Sequence, residues 1–109
     1  MSVIFTVSLS VLSEPPSNVT AYSPSPEILI ISWNPLNQSN VDNYIIFYRE
    51  KLLSNQPYST YATENTTARL TWLKPGTDYV YRVLAYSTAK GNGVASLLTS
   101  VWTMEKSKL

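Results

Sequence analysis

The chain reads as an all-β Greek-key sandwich, and three features of its sequence predict that class. The first is the stretch Leu73-Lys74-Pro75-Gly76-Thr77-Asp78-Tyr79. Pro75 holds its own φ at roughly −65°, and Gly76 tolerates the positive φ that few other residues adopt, so the two make a tight turn. The second is the strict alternation that follows, with Tyr79, Tyr81, Val83 and Ala85 on one side and Val80, Arg82 and Leu84 on the other. Period two is the signature of a strand. A tyrosine that opens a strand just after a turn can send its hydroxyl back to the backbone of the corner, a device of Greek-key sandwiches. The third is composition: eight tyrosines, three tryptophans and seven prolines, with frequent Ser and Thr, suit strands and turns rather than helices.

The chain begins with an alternation of Val3, Phe5, Val7, Leu9 and Val11 against Ile4, Thr6, Ser8, Ser10 and Leu12. This is a strand pattern. A signal peptide would need a basic n-region and an uninterrupted apolar run, and the hydroxyls here break that run. Residues 1–13 are therefore an N-terminal tail or extra strand, expected to be dispensable for folding. Glu14-Pro15-Pro16 is a breaker and a domain start.

The corner, together with the tryptophan of Ile31-Ser32-Trp33-Asn34-Pro35, resembles the fibronectin type III family. The resemblance implies a seven-strand, immunoglobulin-like Greek-key β-sandwich over residues 14–103, with residues 104–109 as a C-terminal tail. The first strand holds Val19 and Ala21, and Ser23-Pro24-Ser25-Pro26 turns the chain. The second, Ile28 to Trp33, points Leu29, Ile31 and Trp33 inward and leaves Ile28 and Ile30 outward. Pro35 to Asp42 is a polar loop. The third strand points Tyr44, Ile46 and Tyr48 inward and Ile45 and Phe47 outward. Tyr58 to Thr63 is a short edge strand. Ala68 and Leu70 of the fifth strand point in, and Leu73 plugs the corner. The sixth strand runs from Tyr79 to Tyr86, and Thr88 to Gly93 is a glycine-rich hairpin loop. The seventh points Leu97, Thr99 and Val101 inward and closes at Thr103. The expected sheets join the first, second and fifth strands, and the fourth, third, sixth and seventh.

The inventory excludes most chemistry. One hundred and nine residues make one domain. There is no cysteine and no histidine, so a disulfide framework, a thiolate nucleophile and the commonest general base are all missing. The seven acids (Glu14, Glu27, Asp42, Glu50, Glu64, Asp78 and Glu105) sit in separate turns and tails, without the pairing a glycosidase or a metal site needs. No cofactor is expected. Asp78 reads as a corner residue accepting backbone hydrogen bonds. Net charge is +1 and the eight bases are scattered, unlike the basic stripe of a nucleic-acid binder. No stretch is long and apolar enough for a transmembrane helix.

Several motifs bear on function. Lys90-Gly91-Asn92 sits where integrin-binding members of the resembled family carry Arg-Gly-Asp. An asparagine brings no carboxylate to a metal's oxygen shell, so the glycines are expected to serve only the turn. Ser100-Val101-Trp102-Thr103 has one tryptophan where the cytokine-receptor signature has two, which excludes that branch. Three acceptor sequons occur, at Asn18, Asn37 and Asn65, all at strand starts or in loops where a glycan can project. The outward residues Ile45 and Phe47, with Val80 and Leu84 of the sixth strand, predict an apolar patch and a protein-binding surface. Trp33, Leu73, Pro75, Gly76 and Tyr79 are expected to be structural. The terminal Ser107-Lys108-Leu109 spells a peroxisomal address only where Leu109 is a true C-terminus.

The resemblance implies a non-catalytic protein-binding or spacer module of a cell-surface receptor or adhesion protein. Its partners would be another protein and neighbouring domains of the same chain. An intracellular structural module of the sarcomeric or scaffold kind, or an enzyme's accessory domain, is the alternative.

Overall fold

The computed structural model describes Leu12, residues 14–38 and residues 40–107. The described residues hold eight strands: β1 Thr20–Ser25, β2 Ile28–Ser32, β3 Asn43–Glu50, β4 Ser59–Thr63, β5 Thr67–Leu70, β6 Asp78–Ser87, β7 Gly91–Asn92 and β8 Thr99–Trp102. They form two antiparallel sheets, one ordered β1-β2-β5 and the other β4-β3-β6, with β7 and β8 both paired to β6. This is the sandwich the alternating pattern predicts, with the expected strands in each sheet.

The core is made by the residues that period two puts on one face. Leu29 and Ile31 of β2 pair across the ladder with Leu70 and Ala68 of β5. In the other sheet Tyr44 and Ile46 of β3 pair with Ala85 and Val83 of β6. All of these are buried in one cluster with Trp33, Leu73, Tyr79 and Tyr81. Trp33 lies edge-on to Tyr44, with ring centroids 5.4 Å apart. Each large apolar side chain so buried contributes on the order of 1.5–3 kcal/mol.

Two expectations are corrected. The seventh strand is broken into β7 and β8, and the register shows why. Tyr86 pairs with Asn92, whereas Tyr79 and Tyr81 pair with Val101 and Thr99. The segment 93–98 thus carries two residues more than a continuous ladder would hold. The surplus is taken up as a bulge, held by Gly93 N–H on the Ala85 carbonyl and Ser96 N–H on the Val83 carbonyl, both 2.8 Å. The Ser96 hydroxyl accepts from Val83 N–H at 2.9 Å, standing in for a backbone carbonyl. Leu97, expected inward, is thrown out and is 88% exposed, and Thr99 is exposed too. Val101 keeps its inward place against the core.

The second correction concerns residues 1–13. Leu12 is 2% exposed and belongs to the core cluster, so the core reaches back past the expected domain start at Glu14. Its Cβ would lie 2.9 Å from a Cβ placed on Gly93. The bare backbone of Gly93 makes the room that Leu12 fills. Residues 1–11 and Ser13, which carry the rest of the expected extra strand, lie outside the described residues.

Candidate functional site

The corner between β5 and β6 is built as predicted. The Tyr79 hydroxyl accepts a hydrogen bond from Lys74 N–H at 2.8 Å. Burial pushes the Tyr79 phenol above its ordinary pKa, against the smaller opposing pull of that N–H. Gly76 takes φ 56° beside Pro75 and donates its N–H to the Met104 carbonyl at 2.9 Å. Thr103, 3% exposed, donates its hydroxyl to the Lys74 carbonyl at 2.6 Å and accepts from Thr77 N–H at 2.9 Å. Leu73 is buried, with its N–H on the Glu27 carbonyl at 3.0 Å. Asp78 departs from expectation. One carboxylate oxygen faces Lys51 Nζ at 3.6 Å and the other is buried without a partner. The cause is the Lys51 N–H, which bonds the Asp78 carbonyl at 2.8 Å and brings the lysine alongside.

Asn34 N–H donates to the Ser17 carbonyl at 2.9 Å, and Trp33 N–H to the Thr66 carbonyl at 3.0 Å. Segments far apart in sequence are thereby gathered at one pole, and with them Asn18, Asn37 and Asn65, all exposed. Asn18 has φ 54°, a region asparagine enters more readily than most residues. Ser39, which completes the Asn37 sequon, lies outside the described residues. Beside this pole the Asp42 carboxylate accepts from Thr88 N–H, and its pKa is lowered chiefly by that bond, with the Thr88 side chain adding to it. Gly91 of Lys90-Gly91-Asn92 takes φ 82°. Gly91 and Asn92 form β7, so the hairpin loop is shorter than expected.

The opposite pole carries large exposed apolar side chains beside two charge pairs. Leu52 and Trp72 are each 91% exposed, with Trp102, Met104 and Leu53 also open. Trp72 has φ 63°, a left-handed backbone that costs on the order of 1–2 kcal/mol for a residue with a side chain. Nothing in Thr71-Trp72-Leu73 signals it in the sequence. A cavity of about 560 Å³ opens beside it, lined by Leu53, Pro57, Tyr48, Lys74 and Glu50 among others. Lys74 Nζ and Glu50 Oε2 pair there at 3.1 Å.

The predicted patch on the outer face of β3 and β6 is corrected in part. Ile45 and Phe47 do alternate outward and are half-buried. Val80 and Leu84 are 6% and 7% exposed, though outside the core cluster. They sit in the middle of a sheet, so cross-strand neighbours hem them in: Val80 lies between Arg49 and Ser100, and Leu84 against Ile45. What this face presents is a stack of aromatic rings and guanidinium groups. The Arg82 guanidinium lies over Phe47 at 5.5 Å and over Tyr58 at 5.3 Å. The Arg49 guanidinium lies over the same Tyr58 ring at 4.7 Å. The pairing Phe47↔Arg82 places the stack across two strands. No group of three or more carboxylates gathers among the described residues to hold a metal.

The family model for the fibronectin type III domain matches residues 14–101. Ephrin type-A receptor 7 of chicken is 38% identical over 78 residues, 70% of this chain and 8% of the receptor. Receptor-type tyrosine-protein phosphatase F of mouse is 34% identical over 99 residues, 85% of this chain and 5% of that protein. The chain thus spans less than a tenth of these relatives. Among solved structures, the fn3 domain of human contactin 1 superposes with a TM-score of 0.80 at 24% identity, covering 88% of this chain and 82% of that one. That likeness concerns the fold.

Proposed function

The chain belongs to the fibronectin type III family, and from that premise we propose that it is a non-catalytic recognition module in the extracellular part of a cell-surface receptor or adhesion protein. The observation that carries this reading is the convergence of Asn18, Asn37 and Asn65 on one exposed pole. Glycans there would crowd one end and leave the sheet faces and the other end free. The receptor relatives support the same reading.

The partner surface in this reading is the outer face of β3 and β6, with Ile45 and Phe47 at its centre and Val80 and Leu84 as its floor. The apolar pole with Leu52, Trp72 and Trp102 suits packing against a neighbouring domain of the same chain, because large exposed apolar side chains gathered in one place tend to mark interfaces.

The test is expression with natural flanking sequence in animal cells, with mass measured before and after enzymatic deglycosylation. A shift at Asn37 and Asn65 supports the secreted module. Unmodified protein recovered from the cytosol overturns it in favour of an intracellular structural role.

A further inference from the structure

The stack on the outer face consists of cations without counter-ions. Among the described residues the Arg82 side chain makes no hydrogen bond and no ion pair, and its Nε is buried without a partner. Arg49 is similar: its Nε is buried and unpartnered, and one Nη makes long bonds to the Glu50 and Lys51 carbonyls at 3.3 and 3.5 Å. The two guanidinium groups share the Tyr58 ring, so two like charges are held close together on a half-buried surface. Two lysines at the neighbouring pole are paired, Lys51 with Asp78 and Lys74 with Glu50. The two arginines are not. Along β3, β4, β6 and β8 the single carboxylate at an outward position is Asp78, and Lys51 has taken it.

Stacking fixes both planar groups and spends their π-faces on the rings, which leaves both Nη groups of Arg82 and the second Nη of Arg49 as the unspent donors. A planar guanidinium edge matches a carboxylate, which it binds through two parallel hydrogen bonds. On this basis we propose that the outer face of β3 and β6 recognises an acidic segment of a partner protein, with Arg82 taking one carboxylate through its two Nη groups, Arg49 adding a charged contact through its second Nη, and Ile45 and Phe47 packing the aliphatic part of that segment. The inference rests on the reading of this face as a partner surface. A protein segment fits better than a sulfated polysaccharide for two reasons. Two free cations are few for a densely charged polymer, whose binding grows with the number of ionic contacts. The half-buried Ile45 and Phe47 beside the arginines also call for apolar matter in the ligand. Because the guanidinium positions are already fixed, little side-chain entropy is lost on binding.

The experiment titrates fluorescently labelled poly-L-glutamate into the 109-residue chain at low ionic strength, with heparin as a parallel probe. The expected result is saturable binding of poly-L-glutamate that weakens about ten-fold or more in Arg82→Gln, reflecting the loss of a bidentate charged contact, and weakens also in Arg49→Gln. Arg82→Lys should keep the fold and the charge yet bind less well, because an ammonium cannot present a planar fork. Arg69→Gln, an exposed position on β5 in the other sheet, should leave binding unchanged, and folding of each variant is checked by its denaturation midpoint. No binding, equal loss in Arg69→Gln, or a clear preference for heparin overturns the proposal. Those outcomes leave the secreted-module reading to its own glycan test, so the two can fail separately.

Discussion

Replacing Tyr79 by phenylalanine isolates one hydrogen bond in the corner. The ring is 5% exposed and phenylalanine keeps its shape, so no cavity opens and the packing energy stays. What goes is the hydroxyl that accepts from Lys74 N–H at 2.8 Å. That donor is part-buried, and the Tyr79 hydroxyl is the acceptor it uses. A donor left unmet in such a place costs about 1–3 kcal/mol. For a domain of this size each kcal/mol shifts the midpoint by about 4–8 °C. Guanidinium denaturation followed by tryptophan fluorescence should show a lower midpoint with an unchanged slope. The substitution should also alter the alkaline limb. Burial raises the Tyr79 pKa in the folded chain, so the unfolded chain loses this proton first and stability falls as pH rises above about 10. Phenylalanine removes that contribution while Tyr81, raised by the same cause, keeps its own. A midpoint equal to wild type, with an unaltered alkaline limb, would refute the corner's role.

Four further outcomes are expected. Trp33→Ala should cost about 3–5 kcal/mol, from lost burial and the cavity left behind, as read by chemical denaturation. Leu12→Ala should cost about 2–5 kcal/mol, and a chain starting at Glu14 should lose at least as much; equal midpoints for the two chains would remove Leu12 from the core. Gly76→Ala should cost about 1–2 kcal/mol, because alanine at φ 56° is strained, with the nearby Glu105 side chain at 3.2 Å having to move as well. Asp42 has a lowered pKa, so its contribution is present above about pH 4 and fades as pH falls through the lower folded value. Asp42→Asn should flatten that acid limb in a pH series of thermal melts.

Alternation made much of the fold legible in advance. Period two sorts Tyr44 with Ile46 and Tyr79 with Tyr81 and Val83, from strand geometry alone, whereas Leu29 and Ile31 sit in a continuous apolar run and their inward face follows from the resemblance that puts Trp33 in the core. The break after β7 depends instead on β6, which bonds Gly93 and Ser96 out of register. Nothing local to 93–98 tells a strand from a bulge. In the sequence Leu12 is one more member of an alternating run, and the space that receives it exists only once Gly93 is opposite. Residue by residue the outer face reads as apolar. Its arginines lie over Phe47 and Tyr58 because β3 and β6 run side by side there with Tyr58 just ahead of β4, and single-strand patterns carry no information about such a meeting. Trp72 is the extreme case, since nothing in its local sequence signals a φ of 63°.

The broken last strand also bears on how the protein behaves when concentrated. A sheet edge with a regular row of free N–H and C=O groups is a template for another chain, and proteins that stay soluble disrupt it. At this edge the surplus residues of 93–98 turn two backbone amides and one serine hydroxyl back onto β6. An incoming strand would meet an interrupted ladder there, with Leu97 protruding where flat backbone would be needed. Removing two residues from 93–98 would restore a continuous, flat edge along β6. The resulting protein would be more regular and, by the same token, more inclined to form fibres.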